Sequence, residues 1–360
     1  MDLHPLAKLT QAVRKFNIIK HLKRQMFLTD LVGAMIKARS IVFSELADKI
    51  DRDALPISIE RRIQDFFQKV DFDYEQLLFM LVCFIPHDQV VLSIDRTEWD
   101  RGSKQYNILC VIASVGKMGV PLYFEMLENK SGNSNSEDRI RVLQRIIDVL
   151  SADRIAYLVM DREFIGHKWL GWLKSQGIRF CVRVPKHHSI LFADAERTDA
   201  QSLLDNEGLT YAEDVVVDQV VVNLYVGKDK NGELLYLIGN LPAKELPAAY
   251  RKRWSIEVFF QALKGRGFNL EKSGLRCLSK MRKLFALACI AYAICWAVAI
   301  QEAKTKPVKR KKHGYPQYSV FRRGLNLIRF AFKKGSLDSI IALWHRLESL
   351  FYRLADKTIG

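Results

Sequence analysis

No Cys-x-x-Cys pair occurs among the six cysteines, Cys83, Cys110, Cys181, Cys277, Cys289 and Cys295. Both a zinc ribbon and a disulfide framework need suitably spaced thiols, so neither is expected. Several of these cysteines lie in apolar runs, which predicts buried thiols in a reducing cytoplasm. No G-x-G-x-x-G follows a first strand, which weakens a dinucleotide-binding reading. No internal repeat is present. The N-terminal MDLHPLAKLT lacks the apolar core of a secretory signal. Asp and Glu are missing from Lys304 to Gly335, a stretch with eleven Lys or Arg.

What is present is a surplus of cations. Over 360 residues, 56 Lys and Arg face 40 Asp and Glu, a net charge of +16. Such a surplus points to a polyanionic partner, nucleic acid first and a membrane surface second. Leu284 to Ile300 carries no charge for seventeen residues. That is the short limit for a membrane span. Its alanines, two cysteines and tyrosine favour a buried core helix instead.

Residues 1–88 read as short helices with basic faces. The expected helices are Leu6 to Leu22, Leu31 to Lys37 behind a Thr29-Asp30 cap, Ser40 to Lys49 with Ser44 near a cap, and Ser58 to Phe67. The set suits a DNA-binding region, with a plain helical bundle as the competitor. From residue 89 the period changes. Apolar runs at 89–95, 106–115 and 120–127 predict a three-strand meander. A helix follows at 137–150, with Ser134 and Glu137 as a possible capping box. Then come strand 155–161, helix 167–176 and strand 179–184. This order predicts a mixed α/β fold of ribonuclease H-like type, a mixed sheet flanked by helices. Residues about 188–246 read as a β-strand insertion with a hairpin turn at Asn231-Gly232. The expected organisation is 1–88 helical DNA-binding region, 89–280 catalytic domain and 281–360 basic helical region.

Two of the apolar strands end in carboxylates, Asp95 and Asp161. A charge at the margin of a buried sheet needs a partner or a metal. A structural pairing with Arg96 or Arg162 would satisfy each alone. Glu98, Asp100 and Glu163 lie past the apolar runs and rank lower. A third carboxylate stands in YRKRWSIEVFFQALK, residues 250–264. As a helix at about 100° per residue, this stretch gathers Tyr250, Arg253, Glu257 and Lys264 within an arc of about 60°. Ile256, Val258 and Phe259 fall opposite. Pro247 suits the first turn and Gly265 the end. A solvated basic face is the plain reading. One carboxylate among cations on one face suits a metal ligand beside phosphate-holding neighbours. If Asp95, Asp161 and Glu257 meet, their oxygens suit Mg²⁺ or Mn²⁺, and a pair of ions can drive phosphodiester cleavage.

These residues resemble the DDE transposases of bacterial insertion sequences. The likeness is to the subgroup with the Tyr-Arg-Glu-Lys signature Y-x2-R-x3-E-x6-K, the insertion-sequence family four type. Tyr250, Arg253, Glu257 and Lys264 fit it without a gap, and SIDRTEW and VMDREF match the first two acidic motifs. GNSN from Gly132 and VRVPK from Val182 are also similar, and the likeness spans roughly residues 30–330. It implies a ribonuclease H-like core with a β insertion before the Glu-bearing helix. It implies that Asp95, Asp161 and Glu257 bind two Mg²⁺ ions, replaceable by Mn²⁺. Tyr250, Arg253 and Lys264 would hold phosphates of the transposon end, and Trp254 would stand near a flipped base. The implied activity is cut-and-paste transposition through a DNA hairpin. The implied partners are terminal inverted repeats, target DNA and a second copy in the synaptic complex, on the cytoplasmic nucleoid and without a membrane. A basic residue often found three positions before the motif lysine is here Gln261. With the charge of +16, this leaves an inactive DNA-binding regulator derived from a transposase as the alternative.

Overall fold

The computed structural model describes residues 16–334, apart from 86–87, 102–103, 117, 129–131, 194–195, 230, 310 and 313–315. Most of the helix expected from Leu6, and everything beyond Lys334, lie outside the described residues. The chain divides into two compact units. The helical unit holds residues 1–86, 99–106 and 259–360, and the sheet unit holds 87–98 and 107–258. The N- and C-terminal helical regions, read from sequence as separate, thus fall in one unit.

In the helical unit, α1 (Leu22–Ala38), α2 (Phe43–Ala47), α3 (Pro56–Lys69) and α4 (Tyr74–Val82) precede α10 (Leu278–Thr305) and α11 (Val320–Lys334). Thr29-Asp30 does not start a new helix. Thr29 is buried inside α1 and its hydroxyl donates to the Met26 carbonyl at 2.7 Å, so it never caps. Ser44 is likewise inside α2, whose N-cap is Val42. Helix α10 packs against α1, α3, α4 and α11. It is long and apolar enough to cross a membrane, yet 89% of its most apolar stretch is buried inside the protein. Every residue from Leu284 to Ala299 is buried, as a core helix requires. Tyr292 stacks on Phe321 of α11 at 5.1 Å. Buried Lys283 gives its ammonium to the Phe67 carbonyl at 3.0 Å.

Helix α11 buries Phe321, Leu325, Ile328 and Ala331 at helical spacing. Gly324 lies on the same face. A Cβ there would stand 1.7 Å from the Cys295 carbonyl oxygen. Only glycine lets the two helices approach so closely.

The sheet unit is built on β1 (Val90–Arg101), β2 (Lys104–Val115), β3 (Met118–Met126), α5 (Ser136–Leu150), β4 (Ile155–Met160), α6 (His167–Ser175) and β5 (Phe180–Arg183). Five more strands follow: β6 (Ser189–Leu191), β7 (Arg197–Asp199), β8 (Thr210–Val217), β9 (Val220–Lys228) and β10 (Leu234–Gly239), with α7 (Ala200–Glu207) between β7 and β8. The strand order is β3-β2-β1-β4-β5-β10-β9-β8-β6-β7. β1, β4 and β5 run parallel, and β2 with β3 forms an antiparallel hairpin. Near-continuous apolar runs such as ILCVIA and YLVM are what strands buried on both faces need. The insertion is not a separate β element. β10 pairs antiparallel with β5, so the insertion continues the same sheet. At the outer strand β3 the register shifts beside Pro121, which has no N–H to give. Helix α5 is capped by Asn135, whose side chain accepts from Asp138 N at 2.8 Å. The expected Ser134–Glu137 box does not form, because buried Arg139 binds the Ser134 hydroxyl at 2.9 Å.

Candidate active site

Pairing of β1 with β4 ends at Ile94 opposite Met160. Asp95 and Asp161 are the next residue on each chain. Adjacent parallel strands therefore deliver two carboxylates side by side, just past their paired segment. The strand expected to end at Asp95 does not stop there: β1 runs on to Arg101, whereas β4 does end at Met160, directly before Asp161. Each carboxylate accepts the following backbone N–H, Arg96 on Asp95 at 2.7 Å and Arg162 on Asp161 at 2.9 Å. The Arg96 side chain does not pair with Asp95. It binds Glu98, Glu163 at 3.2 Å and the Asn107 amide oxygen at 3.1 Å. Glu98 and Glu163 are thus drawn to Arg96, and Arg139 holds the Glu163 carbonyl at 2.8 Å.

The stretch 250–264 is not one helix. α8 (Leu246–Tyr250) gives way to a 3₁₀ turn at Arg251–Arg253, and α9 runs from Trp254 to Leu263. A 3₁₀ turn advances about 120° per residue rather than 100°, so the phase counted from sequence slips here. A chain of hydroxyls ties the start of α9 to the sheet. Ser255 Oγ lies 2.7 Å from Ser114 Oγ, and Ser114 lies 3.2 Å from Ser93 on β1. Sequence reasoning missed these three serines. For Ser93 and Ser114 the signal was a small polar residue inside an otherwise apolar strand, and for Ser255 a buried polar residue in the first turn of α9.

This anchoring brings Arg253 and Glu257 to the two aspartates. The Arg253 guanidinium binds Asp95 Oδ2 at 2.8 Å, approaches Asp161 Oδ2 at 3.7 Å and pairs with Glu257 Oε1. Its side chain is only 15% exposed. Burial pulls the Arg253 pKa down, but Tyr250 and the three carboxylates outweigh that and raise it. Tyr250 donates its hydroxyl to Asp161 Oδ1 at 3.2 Å. Burial pushes its phenol up to about 12, so it stays a neutral donor. Trp254 points outward and is 58% exposed. Lys264 belongs to the helical unit, where it pairs with Glu271 at 3.1 Å and lies over the Trp99 ring.

Among the described residues, no three His, Cys, Asp or Glu stand at metal-ligating spacing. The three carboxylates are gathered around a guanidinium instead. Their chemistry suits a hard divalent cation, because all the donors are carboxylate oxygens already converging on one positive charge.

Burial is the largest influence on Asp95 and raises its pKa to about 6, against the pull of Arg253 and the Arg96 N–H. An unfolded aspartate titrates near 3.9. The folded state therefore holds the proton more tightly, and stability falls as pH rises from about 4 to about 6. In metal-free buffer, Asp95→Asn should melt above the wild type at pH 7, by on the order of 1–3 kcal/mol. The gap should close near pH 4. Thermal melts in EDTA across pH 4–8 measure this, and equal melting at both ends would contradict the assignment.

The transposase DDE domain family matches residues 85–294. This chain belongs to that family. Its transposases are metal-dependent nucleases and strand transferases. No curated protein matches the chain in sequence. Three solved structures show a likeness. A piggyBac transposase synaptic complex with hairpin DNA is 11% identical, with 92% of this chain and 76% of that one covered and a TM-score of 0.45. An endonuclease V from Bacillus subtilis is 10% identical over 54% of this chain and 82% of that one, with a TM-score of 0.26. An Argonaute from Marinitoga piezophila, bound to guide RNA and target DNA, is 9% identical over 61% and 36%, with a TM-score of 0.23. At these scores the fold assignment rests on this chain's own strand order.

Proposed function

We propose that this protein is a cut-and-paste DNA transposase of an insertion sequence, of the Tyr-Arg-Glu-Lys subgroup. The observation that carries the reading is the convergence of Asp95, Asp161 and Glu257 on one guanidinium, where the pairing of β1 with β4 stops. A ribonuclease H-like core is supported by a three-strand meander followed by two parallel strands with helical connections.

In this reading Asp95, Asp161 and Glu257 would hold two Mg²⁺ ions, which would supply Lewis-acid stabilisation of in-line transfer at phosphorus. For these carboxylates to hold the ions, the Arg253 guanidinium would have to give up its pairing with them. A DNA phosphate offers it a bidentate partner of equal charge type. Tyr250 orients Asp161 through its hydroxyl, and Lys264 adds a point charge for the backbone. Exposed Trp254 is available to stack on an unpaired base. The reaction series is a nick at each element end, attack of the freed 3′-hydroxyl on the opposite strand, opening of the resulting hairpin, and attack of that hydroxyl on target DNA. Two copies would bring two ends together on the nucleoid.

The test is cleavage of a plasmid carrying the terminal inverted repeats that flank the gene. Nicks at the repeat ends that need Mg²⁺ or Mn²⁺ and stop in EDTA support the reading. Tight binding of the repeats without nicking, at any concentration of either metal, replaces it with a DNA-binding regulator.

A further inference from the structure

The helical unit carries a cluster of cations that the proposed chemistry does not use. Arg39 follows α1 in a left-handed conformation, with φ at 57°. Its pKa is lowered first by burial and then by Arg322 and Arg329 of α11. No carboxylate counts among these influences. Its Nε is buried and has no hydrogen-bond partner. No ion pair among the described residues involves Arg39, Arg322, Arg329 or Lys333. Like charges left together without acids are unfavourable in the free protein. An anion relieves that cost.

The arrangement is built rather than accidental. Arg329 donates to the Lys37 carbonyl at 3.1 Å, and Arg322 to the Arg266 carbonyl at 2.5 Å. Each guanidinium is thus held by one bond and keeps other donors available. Arg322 and Arg329 are seven residues apart, two helical turns and roughly 10 Å along one face of α11. This row flanks the buried face of Phe321, Leu325 and Ile328. Beside the cluster lies a cavity of about 730 Å³, lined by Lys37, Arg329, exposed Phe330 and Lys333. Asp48 and Asp51 also line it, and Asp51 acts on Lys37. Asp51 and Asp30 thus act on Lys37, whereas the influences on Arg39 include no carboxylate, and neither Asp48 nor Asp51 forms an ion pair with Arg329 or Lys333.

We propose that Arg39, Arg322, Arg329 and Lys333 form a site on the helical unit for the phosphate backbone of duplex DNA. The choice of DNA rests on the transposase reading; the site itself rests on the uncompensated charge. An extended row of cations on a helix face fits a row of phosphates and reads no bases. Binding is therefore independent of sequence and strongly dependent on salt.

The probe is a fluorescein-labelled 40-base-pair duplex of random sequence, titrated in EDTA by anisotropy from 50 to 300 mM salt. The variant Arg322→Gln/Arg329→Gln/Lys333→Gln should bind at least about 30-fold more weakly at low salt. Its slope of log affinity against log salt should fall by about 2–3, near 0.9 per lost phosphate contact. The single variant Arg39→Gln, which removes no hydrogen bond at its buried Nε, should lose about 3- to 10-fold by the same per-contact rule. The control Lys186→Gln/Lys228→Gln/Lys244→Gln removes equal charge from exposed lysines of the sheet unit and should lose less than about 3-fold. Matched thermal melts exclude unfolding. Wild-type affinity in both arginine variants overturns the proposal, and so does an equal loss in the control. If anionic vesicles respond to the variants and the duplex does not, the partner is a membrane and the proposal falls. Cleavage plays no part in this readout. Arginine-dependent binding without metal-dependent nicking would sink the transposase reading alone, and nicking with arginine-independent binding would sink this site alone.

Discussion

Asp161→Ala, Asp95→Ala and Glu257→Ala are each expected to lower metal-dependent cleavage of the element ends by at least about 10³-fold. The reason is geometric. Asp95 and Asp161 sit directly beyond the last paired residues of adjacent parallel strands, so no neighbouring carboxylate can slide into either position. Glu98 and Glu163 are drawn to Arg96, with Glu163 3.2 Å from it. Glu257 comes from a helix pinned to β2 through Ser255 and Ser114. Removing any one leaves two carboxylates for ions that need more oxygen donors. DNA affinity should change by less than about 5-fold, because a lost carboxylate does not weaken attraction to phosphate. Gel-resolved cleavage with Mg²⁺ and anisotropy in EDTA measure the two effects separately. A variant that cuts at the wild-type rate removes its residue from the site.

The second large effect is on folding. Replacing a helix-interior glycine by alanine ordinarily stabilises a helix by about 1 kcal/mol. Gly324→Ala should do the reverse and lower the melting temperature by roughly 5–10 °C, the equivalent of about 3 kcal/mol. The added carbon would meet the Cys295 carbonyl oxygen at 1.7 Å and the carbonyl carbon at 2.6 Å. Both are backbone atoms in the buried middle of α10 and cannot rotate aside. Helix α11 has to lift from α10, which opens the packing of Phe321 on Tyr292. Differential scanning calorimetry checks the prediction. A melting point within 1 °C of wild type would mean that the two helices are farther apart than described.

Much of the sheet was readable because its signals are local. Apolar runs broken by Asp95 and Asp161 marked both strands and the end of β4, but not that of β1, which continues through alternating polar residues to Arg101. The helix-turn order between them left few arrangements of the core. Tyr250, Arg253 and Glu257 were found from spacing, and the structure brings all three to the aspartates. What the spacing did not carry was the 3₁₀ turn at Arg251–Arg253. At that turn Tyr250 and Arg253 bond to Asp161 and Asp95, far away in the chain. The guanidinium among the carboxylates was hidden for the same reason: Arg253 reads as a surface cation until Asp95 is placed beside it. Thr29-Asp30 misled because cap residues and helix-interior residues look alike until burial decides. The insertion was recognised as β-rich, but its register on β5 is a long-range pairing that periodicity does not encode.

The two margins of the sheet are poor templates for another strand. β7 is three residues long and carries Arg197 and Asp199, and β3 presents a proline where its register slips. Amyloid-like stacking and dimerisation by continuous backbone pairing are both disfavoured from these sides. Two copies brought together at paired element ends would be joined by side-chain surfaces or by the nucleic acid itself, and would come apart once it is released.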